Sequence, residues 1–200
     1  MILNGSPRTN GDTAALVQAL AASLPGQMEC LDTYTYDAAP CIDCRYCWRH
    51  PGCAIQDGMQ QAYERICRAD AIVLASPVFY GTLSGSLLSF ASRLQTFYAA
   101  KYIRKDGAHP HPGKGGGVLL AAGGGTKDFT CALDAAHMIL GLCGAKPLGA
   151  AIAHSTDCYG TKVGTPAKED EAALAQAETL GRLLYSFTQQ VGCEAAQSGI

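Results

Sequence analysis

The 200 residues suffice for one domain, and 48% hydrophobic residues at that length can bury a full core without disulfides or partner subunits. A formal net charge of −2 and an isoelectric point near 6.2 lack the basic excess that phosphate backbones require, so nucleic acid is excluded as an expected partner. No apolar run reaches the roughly 18 to 20 residues of a membrane span, and the opening MILNGSPR is neither basic nor long and apolar; a cytosolic chain with no membrane partner is expected.

Ile2 and Leu3 form a short first strand that runs straight into Asn4-Gly5-Ser6-Pro7-Arg8-Thr9-Asn10-Gly11-Asp12-Thr13 and then a helix with Leu16, Leu20 and Leu24 on one stripe. Met28–Leu31 is a weaker second strand. Tyr34–Gly58 holds four cysteines and little periodicity, so it reads as an excursion, with a cysteine-rich loop at 37–58. Met59, Ala62, Tyr63 and Ile66 share a helical face, Ala71–Ala75 is a third strand, and Leu83, Leu87, Phe90 and Leu94 mark the next helix. Phe97–Gly116 mixes Tyr98, Tyr102, Lys105, His109 and His111 with no apolar face and reads as a second excursion. Gly117–Ala122 is a fourth strand, Leu133, Ala136 and Leu140 a helix, and Pro147–Ala153 a fifth strand. The last helix starts with Thr165 as cap and Pro166 in its first turn, with Ala173, Ala177, Leu180, Leu184 and Phe187 on one stripe; residues 192–200 are a loosely held tail.

The three stronger strands lack strict alternation, which suits strands covered on both faces of a parallel sheet. Five strands alternating with five helices, without internal repeat, predict one doubly wound α/β domain over 1–200. Its ligands belong outside the carboxyl ends of the strands, on the loops after Leu3, Ala75 and Ala122.

The loop after the first strand surrounds a helix N terminus with small hydroxyl and amide side chains. Such a place binds anions through free backbone N–H groups and the positive end of the helix dipole. An ordinary capped turn has the same composition. Neither G-x-x-x-x-G-K-[ST] nor G-x-G-x-x-G is present here. The residues instead resemble the GSPR-x-x-G-x-T loop of the NADPH-dependent FMN reductase family. That resemblance implies an FMN phosphate held by Ser6, Arg8, Asn10 and Thr13, with Asp12, where the family often has Asn, either among them or acting as a helix cap. The first strand is short for that family, so either the start of the chain lies late or the central strand is clipped.

Ser76-Pro77-Val78-Phe79-Tyr80-Gly81-Thr82-Leu83-Ser84-Gly85 is an abrupt turn with aromatic side chains at a strand end. By itself it is a core-capping turn. It is similar, however, to the SPVY-x-G-x-x-S loop of the same family, which implies that Pro77, Val78, Phe79, Tyr80 and Gly81 line the flavin ring. Ala122-Gly123-Gly124-Gly125-Thr126 is similar in place to the family's third flavin loop, with Gly123 and Gly124 as backbone contacts. The resemblance covers about the whole chain apart from 97–116 and the tail. It implies a flavodoxin-like fold, a five-stranded parallel sheet in the order 2-1-3-4-5 with helices on both faces.

Cys41, Cys44, Cys47 and Cys53 are spaced C-x2-C-x2-C-x5-C. In a reducing compartment clustered cysteines point to metal or catalysis rather than disulfides, and this spacing points to a [4Fe–4S] cluster more than to zinc. It resembles the compact motif of the iron–sulfur flavoproteins. Plain FMN reductases share a similar stretch, seen here through Trp48, Gly52, Cys53 and Asp57, so a metal-free structural loop stays open beside it. Cys30, Cys67, Cys131, Cys143 and Cys193 are expected as small apolar packing residues. His137, His154 and Asp157 receive no role, and Lys101, Arg104 and Lys105 read as a solvated charge run.

The resemblance implies an FMN-dependent oxidoreductase with NAD(P)H as co-substrate and a quinone, flavin or similar small molecule as electron acceptor, requiring no catalytic side-chain nucleophile. The alternative is an iron–sulfur flavoprotein fed by a ferredoxin-like donor. A flavin-binding module without turnover is the third possibility. Family members are commonly homodimers or homotetramers, which the same resemblance implies here.

Overall fold

In chain order the elements are β1 (Ile2–Asn4), α1 (Asp12–Ala22), β2 (Cys30–Asp32), α2 (Met59–Arg68), β3 (Ala71–Phe79), β4 (Thr82–Leu83), α3 (Gly85–Ser92), α4 (Gln95–Tyr98), β5 (Lys114–Ala121), α5 (Thr130–Leu142), β6 (Ala145–Ala153) and α6 (Glu171–Ser198). The structure is a computed structural model that describes residues 1–124, 128–154, 156 and 164–198, with side chains through Gly192. Five strands are parallel and lie in the order β2-β1-β3-β5-β6, while β4 pairs antiparallel to the far end of β3. With β4 set aside this is the 2-1-3-4-5 order of a flavodoxin-like doubly wound sheet.

The two faces of the sheet explain the unbroken apolar runs. Leu3, Leu74, Val118 and Leu120 meet α2, α3 and α5 through Ile66, Leu87, Phe90 and Leu140. Ile2, Val73, Ala75 and Leu119 meet α1 and α6 through Leu16, Leu20, Leu180 and Leu184. Each fully buried leucine contributes about 1.5–3 kcal/mol, so both stripes hold their helices against the sheet.

Several expectations need correction. β5 starts at Lys114, because Gly115 and Gly117 let α6 lie directly on the strand: a Cβ on Gly117 would stand 3.1 Å from Leu180 Cδ2. The segment from Phe97 is not an excursion throughout. Phe97, Ala99 and Ala100 are buried, and a π-helical turn at Ala99–Arg104 continues α4, which leaves 105–113 as the irregular part. Helix α6 is capped by Asp170, whose Oδ1 accepts from Ala173 N at 3.0 Å, rather than by Thr165; Pro166 instead opens a separate turn at Ala167–Glu169. The helix then reaches Ser198, so the backbone of residues 192–198 continues α6.

Cys30, Cys67 and Cys131 are exposed, because their strand and helix positions face away from the core. Among the described cysteines of that group Cys143 is the packing residue, with its thiol pushed up to about 12 by burial. The side chain of Cys193 lies outside the described residues.

Lys114 is a buried cation at the start of β5. Its Nζ donates to Cys67 O at 2.7 Å and Ala69 O at 2.5 Å, which closes the C-terminal end of α2, and burial lowers its pKa. Lys114→Met leaves both carbonyls without that donor. The expected loss is about 1–3 kcal/mol of unfolding free energy, read by chemical denaturation.

Candidate functional site

Strands β1, β3 and β5 are neighbours, and their carboxyl ends lie on one edge of the sheet, with Asn4 level with Ala75 and Pro77 level with Ala121. The loops that follow them therefore start a strand spacing or two apart. Gly5 N donates to Ala75 O at 2.7 Å, which fixes the first loop to β3. Asn4 Oδ1 accepts from Ser6 N at 3.1 Å, and Ser6 Oγ accepts from Arg8 N at 3.3 Å, so the loop is held by its own side chains before any ligand arrives. Asn4 carries that turn and was missed from sequence; an Asn two residues before a Ser at a strand end is the available signal.

Helix α1 begins after Gly11 with no side-chain cap, unlike α3, where Ser84 Oγ accepts from Leu87 N. Among the described residues no side chain accepts from its first-turn N–H groups, which leaves them to solvent or an anion. Ser6 and Thr13 are buried there, whereas Arg8 and Asn10 are exposed. Asp12 turns away from this set. Its Oδ1 accepts from Ala167 N at 2.8 Å and ties α1 to the turn before α6, so the carboxylate is engaged elsewhere.

The third strand does not stop at Ala75. Ser76–Phe79 continue β3, and Phe79-Tyr80-Gly81-Thr82 form a two-residue hairpin with φ of 52° at Tyr80 and 78° at Gly81. Those angles fit a type I′ turn, the form whose twist matches two antiparallel strands. The hairpin stands four residues beyond the level of Asn4, roughly 13 Å, and makes a wall beside the first loop. Tyr80 is fully exposed and Phe79 is 44% exposed, so neither plugs the core. A tyrosine held in the left-handed region costs about 1–3 kcal/mol, and strain of that size collects at functional sites. Ser76 and Ser84, both buried, brace the wall through Ser84 N donating to Ser76 Oγ at 2.9 Å.

The third loop leaves β5 with Ala122 N bonded to Ala153 O and Thr156 N bonded to Ala122 O. Gly123 and Gly124, the latter at φ 63°, follow on the same edge, while Gly125, Thr126 and Asp157 lie outside the described residues. His154 sits edge-on to Phe129 at 5.0 Å, and His137 is exposed.

The four spaced cysteines line one recess of about 70 Å³, together with Arg93, Gln95 and Thr96. Asp43 at φ 50° and Arg45 at φ 57° flank Cys44 and wrap the chain tightly around it. Burial pushes the Cys47 thiol up, and the nearby Cys53, Cys41 and Cys44 push it the same way. Cys41 N donates to Ser92 Oγ at 3.0 Å, and Arg104 donates to Cys47 O while pairing with Asp106 at 2.6 Å. Arg104 is therefore a clasp on the cysteine loop rather than part of a solvated charge run. Among the described residues, no three Cys, His, Asp or Glu side chains close on one point as a single metal ion requires.

Arg93 joins the two ends of this loop. It is 1% exposed; Nη1 donates to Ala39 O and Asp57 Oδ2, both at 2.8 Å, and Nη2 donates to Ile55 O and Asp57 Oδ1, both at 3.1 Å. Burial opposes its charge, but the hydrogen bonds to Asp57 outweigh burial and its pKa is raised. Nε remains buried without a partner, and among the described residues it is the one such side-chain atom. Arg93 was missed from sequence, although it falls three residues after Phe90, just past the end of α3 and in line with its buried stripe, where a charge needs a reason.

Burial raises the Asp57 pKa, but hydrogen bonds from Arg93 and from the N–H groups of Ala39 and Met59 carry it below its ordinary 3.8. A carboxyl with a lowered folded pKa stabilises the fold above its unfolded value and loses that contribution as pH falls through the folded value. Urea midpoints are therefore expected to drop as pH falls below 3.8, and Asp57→Asn should flatten the drop.

A family model described as NADPH-dependent FMN reductase matches residues 1–157. An iron–sulfur flavoprotein of Archaeoglobus fulgidus is 38% identical over 64 residues, 32% of this chain and 33% of that protein. An iron–sulfur flavoprotein of Methanocaldococcus jannaschii is 30% identical over 94 residues, 46% of this chain and 49% of that one. The matched segments thus span between a third and a half of these curated relatives. Among solved structures, an NAD(P)H:quinone oxidoreductase from Methanothermobacter marburgensis superposes with a TM-score of 0.67 at 21% identity, covering 92% of this chain and 94% of that one, a likeness of fold. Among the described residues no helix is long and apolar enough to cross a membrane.

Proposed function

Because the chain belongs to the NADPH-dependent FMN reductase family, we propose that it is an FMN-dependent oxidoreductase that takes reducing equivalents from NAD(P)H and passes them to a quinone, a flavin or a similar small acceptor. The observation that carries this reading is the uncapped N terminus of α1 beside the raised β3–β4 hairpin at one sheet edge. Ser6, Thr13 and the first-turn N–H groups of α1 hold the phosphate, with Arg8 and Asn10 reaching it from the open side. Backbone N–H and C=O groups of Pro77–Gly81 face the polar edge of the ring, Phe79 and Tyr80 lie beside it, and Gly123 and Gly124 border the opposite edge. When bound, FMN supplies electron exchange with nicotinamide and delivery to the acceptor; the protein holds it with one face open, and no side-chain nucleophile takes part. Stopped-flow mixing of FMN-loaded protein with NADH or NADPH is expected to bleach the flavin absorbance. An unchanged trace with both nucleotides contradicts the reading.

A second reading is favoured by the cysteine recess. Four thiols form an iron–sulfur donor set, their spacing on one loop suits a [4Fe–4S] cluster, and Arg93, which lines the same recess, keeps one buried N–H without a partner among the described residues. A cubane's ligands bind separate irons and so stand farther apart than those of a single ion. In this form Cys41, Cys44, Cys47 and Cys53 hold the cluster, and a ferredoxin-like donor replaces nicotinamide. A full complement of iron and acid-labile sulfide after anaerobic isolation supports it, and their absence after anaerobic reconstitution contradicts it. Assembly as a homodimer or homotetramer belongs to either reading and is tested by light scattering.

A further inference from the structure

We infer that Arg93 sets the reduction potential of a cluster held by Cys41, Cys44, Cys47 and Cys53, placing a fixed positive charge and one uncommitted N–H beside the thiolates; this rests on the second reading above. Three observations carry it. Arg93 lines the same recess as all four cysteines. Both of its terminal nitrogens are committed to Asp57, Ala39 O and Ile55 O, which locks the orientation of the guanidinium. Its Nε–H alone is buried with no acceptor, a state that costs about 1–3 kcal/mol unless a group at the recess accepts it.

The Tyr63 hydroxyl beside this guanidinium already donates to Arg93 O at 2.9 Å, and in the loaded form a thiolate or sulfide sulfur is the acceptor of Nε–H. One-electron reduction adds a negative charge at the recess, the electron coming from a ferredoxin-like donor or, in a titration, from dithionite. A nearby cation and an N–H···S bond both favour the more negative, reduced state, and hydrogen bonds to sulfur are a recognised control on such potentials. Asp57 partly offsets the charge. The ion pair is thus a positioning and tuning device, not a catalytic group.

The test is a dithionite titration monitored by electron paramagnetic resonance on anaerobically reconstituted protein, with iron and sulfide counted for each sample. Arg93→Lys keeps a cation opposite Asp57 but places no N–H where Nε now lies. The reduced-to-oxidised ratio at a fixed potential is expected to fall about tenfold, a negative shift of about 59 mV for a one-electron couple. Asp57→Asn removes the offsetting charge while keeping an acceptor oxygen, and the shift is expected to be positive. Either variant, if loaded with iron, decides the matter. Unmoved potentials in loaded variants overturn the inference and leave the cluster standing. Loss of iron from both variants, with the wild type loaded, assigns the pair to closing the loop and also overturns it. A wild type that takes up no iron removes the cluster reading itself, and the inference with it.

Discussion

Asp57→Ala is expected to lower the unfolding free energy by about 3–5 kcal/mol, the usual cost of leaving a buried charge without its partner. The side chain of Arg93 is fully buried, and Asp57 takes a hydrogen bond from each of its terminal nitrogens. The same carboxylate accepts from Ala39 N and Met59 N, so its removal also opens the join between the two ends of the cysteine loop. Tyr63 adds a brace from below, its hydroxyl donating to Arg93 O at 2.9 Å. The exposed Arg45–Asp43 pair gives the contrast: its side chains are 61% and 76% exposed, and Asp43→Ala should change stability little through lost ion pairing. Urea denaturation of the two variants separates the cases. A loss below about 1 kcal/mol for Asp57→Ala would mean that water reaches the Arg93 pocket.

Gly5→Val is expected to weaken FMN binding at least tenfold, about 1.4 kcal/mol, besides destabilising the fold by about 1–3 kcal/mol. A Cβ at Gly5 would stand 2.5 Å from Ser84 Oγ and 2.8 Å from Leu87 Cβ. Neither neighbour is free to retreat. Ser84 caps α3 and is held by Ser76, while Leu87 is buried in the core. The first loop must therefore move away from α3, carrying Ser6 off its place beside the N terminus of α1. Fluorescence titration with FMN reads the affinity, and an affinity equal to wild type would show that this loop does not bear on the phosphate.

Much of the scaffold was legible because burial on both sheet faces writes itself into sequence. Leu16 and Leu20, the Met59–Ile66 face and the run from Ala71 all lie where their periodicity predicts. The misses share a physical cause, which is that tertiary contacts overrode local composition. Gly115 looks like a turn residue but accommodates Leu184 of α6. Phe97, Ala99 and Ala100 are apolar yet too irregularly spaced to show a stripe, since they straddle a short helix and a π turn. Thr165 and Asp170 are both plausible caps, and only the intervening turn at Ala167–Glu169 decides between them. At the site, the strand-to-helix loop before α1 lies where the sequence places it, whereas the departure of Asp12 to Ala167 depends on a contact 155 residues away. The partners of Arg93 were invisible for the same reason, since they lie 36 to 54 residues upstream.

The account depends on the phosphate being held at the start of α1, and the most direct measurement is a paired titration of flavin-free protein with FMN and with riboflavin, which differ by that phosphate. Quenching of flavin fluorescence is expected to give tight uptake of FMN and an affinity for riboflavin at least tenfold weaker. Equal affinities for the two flavins, or no uptake of FMN at all, would contradict it.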